Sequence, residues 1–135
     1  MARDGSKAAA LALALLLAGA GLGGCAKEVT PPGEAGVCYE MIKPKGSPLR
    51  FVPVAQKIET LEDCAAQLER IRLNFLRMGG SIHEIQGAYA DQFIFIDTGG
   101  IEVSTSLDGP RYVMMDRTPS GKLVRPGYQH PADGG

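Results

Sequence analysis

The spacing of apolar residues changes once along this chain, at Gly79-Gly80, and that change limits the folds open to it. Upstream, Leu61, Cys64, Ala65, Leu68, Ile71 and Phe75, with Leu76 beside them, recur at three- and four-residue steps and draw one face of a helix. Thr60 with Asp63 three positions later is a capping-box-like start, and Glu62 and Asp63 suit the positive end of the helix dipole. Arg77 falls in the last turn and the glycine pair stops the helix. The spacing therefore predicts a helix over about 60–78.

Downstream the period falls to two. Glu84–Tyr89 reads as a strand, and Gln92–Asp97, apolar on both faces, reads as a central strand covered by the helix on one side. After Thr98-Gly99-Gly100, Ile101, Val103 and Thr105 alternate with Glu102, Ser104 and Ser106, the pattern of a half-buried strand. Arg111–Arg117 and a short Lys122–Val124 follow, separated by turns at Leu107–Pro110 and Pro119–Gly121. Before the helix, Val37–Ile42 and Phe51–Ile58 are β-rich, and Pro53 confines the second to an edge or a bulge. The expected fold is α+β: ββα, then an antiparallel meander, with one helix packed on a mainly antiparallel sheet.

The N-terminal segment is of a different kind. Arg3 and Lys7 precede an apolar run, Ala8–Leu22, which is too short at about 1.5 Å per residue to cross a hydrocarbon core of about 30 Å. The run closes on Leu22-Gly23-Gly24-Cys25, an aliphatic residue, two small residues and a cysteine. With this lipobox the chain resembles the bacterial lipoproteins. The resemblance implies that residues 1–24 are a signal peptide and that Cys25 is lipidated, acyl groups such as palmitate anchoring the mature N-terminus in a membrane. Ala26, where an Asp would retain such a protein in the inner membrane, implies the outer membrane, facing the periplasm. Residues 25–36, with two prolines and two glycines, read as a lipidated spacer. Residues 37–125 form one domain, and 126–135 read as a disordered tail.

If Cys25 carries lipid, Cys38 and Cys64 are left as an even pair in an oxidising compartment and are expected to form a disulfide. Cys64 lies on the apolar helix face, so the bond would staple the helix to the first strand.

Composition excludes some functions and leaves others open. Removing Arg3, Asp4 and Lys7 takes the formal net charge from −1 to −2, without the basic excess a nucleic-acid footprint needs. With no Trp, an aromatic sugar platform is not expected. Neither His83 nor His130 has a Cys, Ser or carboxylate at a catalytic or ligand spacing, so no metal, no cofactor and no enzymatic activity are expected. Phe93–Ile96 followed by Asp97-Thr98-Gly99 resembles the active-site motif of aspartic peptidases. Gly100 departs from that motif, and a hairpin turn closed by the Asp97 side chain is the rival reading.

Two features suggest a surface role. Lys43, Lys45 and Arg50 gather in one proline-rich loop and could meet headgroups or peptidoglycan carboxylates. Phe51–Met78, an apolar strand leading into a helix, resembles half of a SPOR domain, which implies peptidoglycan binding but transfers no residues. The mature domain is also similar to small uncharacterised alphaproteobacterial proteins. The expectation is a membrane-anchored envelope lipoprotein whose domain binds an envelope protein partner or, alternatively, peptidoglycan. The loops and one exposed sheet edge, to which a partner strand could add, are the expected contact surfaces.

Overall fold

A computed structural model of the chain describes residues 27–81 and 84–127. The lipobox with Cys25, both histidines, and the tail beyond Gly127 lie outside the described residues. Seven strands and one helix follow in the order β1 (Cys38–Ile42), β2 (Arg50–Ala55), α1 (Leu61–Arg77), β3 (Ile85–Tyr89), β4 (Gln92–Ile96), β5 (Gly100–Ser104), β6 (Tyr112–Arg117) and β7 (Leu123–Val124). They form one sheet in the order β2-β1-β3-β4-β5-β6-β7, antiparallel at every step. This is the expected α+β class.

The strand carrying Pro53 is the edge strand, as its missing N–H requires, and the register shifts between Cys38 and Tyr39 beside it. The strand apolar on both faces, β4, is fourth of the seven. Its residues alternate between two cores: Ile94 and Ile96 join the helix side with Leu68 and Ile101, while Phe93 and Phe95 join Met41 on the back. β2 and β3 flank β1, so α1 is the crossover that carries the chain over β1. It therefore lies on β1–β4. The meander grows away from it.

Local chemistry sets both ends of α1. The Asp63 N–H donates to Thr60 Oγ1 at 3.1 Å, and the Thr60 hydroxyl donates back to the Asp63 carboxylate at 2.8 Å. At the other end Gly79, at φ +86°, donates to Leu76 O, and Gly80 donates to Phe75 O, both at 3.0 Å. This paired closure needs a left-handed residue, which glycine supplies without a Cβ clash.

The helix face differs from expectation in its last turns. Cys64, Ala65 and Leu68 are buried, but Phe75 and Leu76 are exposed, and the next buried positions are Glu69 and Arg72. Seventeen residues of helix span about 25 Å, whereas a five-residue strand spans about 17 Å. The last turns overhang the sheet.

Close approach of helix and sheet rests on Gly87 in β3. A Cβ there would collide with the Leu68 side chain and with the carbonyl oxygen of Tyr39. Gly87→Ala should therefore destabilise the domain by about 1–3 kcal/mol through overpacking. Thermal denaturation checks this, and an unchanged midpoint would mean that Leu68 can swing aside.

Candidate functional site

One helix cannot cover seven strands. On the helix side, the half-face made by β5, β6 and β7 stays open, and beside α1 it forms a groove of about 400 Å³. Ile101, Met114, Met115 and Leu123 floor it, and Ala65, Ala66 and Leu73 form its helical wall. Adjacent residues of a regular strand point to opposite faces. Met114 and Met115 both reach the groove because the β5–β6 register shifts between Ile101 and Glu102, placing an extra residue there. Methionine is flexible and polarizable, suited to a surface that adapts to what it binds. Glu62, Glu69 and Arg70 supply the groove's polar groups. Leu73 in this wall, and Tyr112 opposite Val103 on the same face of the sheet, are exposed.

The wall of the groove conceals a charge cluster. Glu69 accepts from Arg72 Nε at 2.7 Å and Nη2 at 3.2 Å, and from Arg117 Nη1 at 2.7 Å. The side chains of Glu69, Arg72 and Arg117 are 11, 5 and 8% exposed, so one carboxylate stands between two buried guanidinium groups. Arg117 also donates to the backbone oxygens of Asp97 and Gly121, at 3.2 and 3.1 Å, tying the β4–β5 and β6–β7 turns together. Burial pushes the Glu69 carboxyl up, but the hydrogen bonds and charges of the two arginines outweigh it and hold it below its ordinary value. Charge at positions 69 and 72 prolongs the apolar stripe of α1. A helical residue that continues a buried stripe while carrying charge is the signal by which the cluster could have been found.

The aspartate of the Asp-Thr-Gly segment closes the β4–β5 turn. Its Oδ1 accepts from the Gly99 and Gly100 amides at 2.7 and 3.2 Å, and its own N–H donates to Gly100 O at 3.1 Å. Lys43, Lys45 and Arg50 lie together at the end of the sheet where β1 passes to β2, with both lysines and Arg50 exposed. Cys38 and Cys64 form the disulfide, fully buried beneath the helix. No group of three His, Cys, Asp or Glu residues stands close enough to hold a metal among the described residues. Nor, among them, is any helix long and apolar enough to cross a membrane.

The back of the sheet is covered differently. Val29 packs with Leu49, Phe51 and Leu107 against Met41, Phe93 and Phe95. The Arg111 guanidinium lies 3.6 Å over the Phe95 ring and pairs with Glu84 at 2.8 Å and Glu102 at 3.4 Å. Thus residues 27–36, part of the segment read as a spacer, are a strap laid on the domain. The Tyr39 hydroxyl donates to Glu34 at 2.6 Å, and the Ile58 amide donates to Gly36 O at 3.0 Å. That bond to Glu34, then burial, holds the Tyr39 phenol above its ordinary value. No protein-family model, no curated protein and no solved structure matches this chain.

Proposed function

We propose that this protein is a lipid-anchored envelope lipoprotein, held at Cys25 in the outer membrane, whose periplasmic domain is a non-catalytic binding module. The observation that carries the binding role is the open groove beside α1. An apolar half-face with two methionines on its floor is a surface kept for contact rather than for chemistry. The lipobox and the cysteine pairing support the anchored, exported setting. The partner is an envelope protein that presents apolar side chains to the groove.

Affinity capture of the tagged, full-length protein from gently solubilised membranes tests this. One partner in near-equal amount is expected, lost with Met114→Asp, which puts a charge on the groove floor, and kept with Lys45→Glu at the far loop. A partner retained by Met114→Asp sinks the groove as the contact surface. If only cell-wall fragments co-purify, the peptidoglycan reading replaces the protein partner.

A further inference from the structure

The strap fixes how far the domain can stand from its anchor. An undocked segment from Cys25 to Val37 could reach about 40 Å, at 3.3–3.6 Å per residue. Docking removes most of that length. The side chain of Val29 is packed into the back-face core, Glu34 and Gly36 are hydrogen-bonded to the domain, and Pro31 and Pro32 are half-buried. Gly33 passes so close to the Asp91 carboxylate that a Cβ would collide with it. Lys27, Glu28 and Val29 then share a cavity of about 560 Å³ with the Ser106–Gly109 loop. Only Ala26 separates Lys27 from Cys25, a reach of about 7 Å. The headgroup layer is itself about 5–7 Å deep on each side of a bilayer.

Topology orients what remains. The Ser106–Gly109 loop joins the end of β5 to the start of β6, whereas the Lys43–Arg50 loop joins β1 to β2 at the opposite end of the sheet. The groove lies on the face away from Val29.

We propose that the docked strap holds the domain against the phospholipid surface, with the Ser106–Gly109 loop at the headgroups and the Lys43–Arg50 loop at the far end. This rests on lipidation of Cys25. Lys27, Glu28 and Asp108 are of mixed sign, so the contact is imposed by the short tether and does not depend on anionic lipid. The spacer becomes a positioning device, presenting the groove on the side turned away from the strap.

The sequence contains no Trp, so one introduced indole reports without background. Asp108→Trp and Lys45→Trp, both at exposed positions, would be made in the full-length protein. Each would be purified from membranes and reconstituted in phosphatidylcholine vesicles doped with headgroup-nitroxide lipid. The Asp108→Trp protein should lose most of its emission, at low and high salt alike, while Lys45→Trp keeps its own. Adding Val29→Asp, which puts a charge where the strap packs into the back-face core, should free the strap and restore the emission of Asp108→Trp while the protein still floats with the vesicles. Unquenched Asp108→Trp on floating protein, or equal quenching at the two sites, overturns the proposal and leaves the anchor intact. Protein that does not float, or a Cys25→Ala control that floats equally well, overturns the lipidation reading and this proposal with it.

Discussion

Glu69→Gln should cost about 3–5 kcal/mol of folding stability, the range for breaking a buried ion pair from one side. The amide keeps the shape of the carboxylate but leaves Arg72 and Arg117 charged, buried and facing each other's field. A small domain has about 5–15 kcal/mol in total, so this one change takes it to the edge of folding at room temperature. Urea denaturation at neutral pH measures it. A loss below about 1 kcal/mol would mean that the arginines swing out and carry their charge to water. The companion variant, Glu69→Leu with Arg72→Met and Arg117→Met, removes all three charges together and should recover most of that loss, falling short of the parent by the hydrogen bonds that Arg117 gives to Asp97 O and Gly121 O. The difference between the two variants isolates the unpaired charge from the loss of packing.

The same cluster sets an acid limb. The Glu69 carboxyl titrates below its ordinary value of 4.5 in the folded protein, so the unfolded chain binds its proton first. Its contribution is fully present above the ordinary value and is lost as pH falls through the lower, folded one. Stability measured between pH 6 and 3 should therefore fall steeply for the parent and less steeply for Glu69→Gln, which has no proton to gain. Parallel limbs for the two proteins would remove Glu69 from the acid response.

Loss of the Cys38–Cys64 bond is the second large effect. The cysteines are 26 residues apart, and closing such a loop restricts the unfolded chain by about 3.5 kcal/mol in the chain-entropy account. Paired Cys38→Ala and Cys64→Ala substitutions should lower the unfolding free energy by about 2–5 kcal/mol. They should also loosen α1 before the meander, because the bond joins the helix to β1 whereas β3–β7 pair in sequence order. Hydrogen exchange resolved by residue reads that order: early exchange in α1 with β4 protected supports it, and simultaneous loss contradicts it. Both sulfurs are fully buried, so reductant alone should act slowly until denaturant opens the helix.

The elements that the sequence determines are those with local signals. α1 could be placed within one or two residues because its signals are local: Thr60 caps it, the apolar stripe recurs within each turn, and Gly79 is needed where φ is positive. β4 was legible as central because a strand covered on both faces must be apolar on both, and Phe93–Ile96 is. Cys38 and Cys64 could be paired by arithmetic, once Cys25 was set aside. The Asp97 turn, too, follows from an Asx side chain with two glycines two and three positions later. Each of these is decided by residues within a few positions of one another or by counting.

The groove, the meeting of Glu69 with Arg117 and the strap were not legible, and they share a cause. Glu69 meets Arg117 across 48 residues, Val29 packs against strands that begin nine or more residues later, and the groove exists only because a crossover helix covers β1–β4 and stops. Periodicity reports which face of an element is apolar, but not how many strands the facing layer spans. Nor does it tell whether a proline-containing segment will fold back on the domain. Local hydrogen bonding and side-chain period were enough to determine the elements, their order and the α+β class. Which apolar faces stay uncovered, and which charges become buried, were settled by the tertiary structure alone, because both depend on how far one layer extends over another.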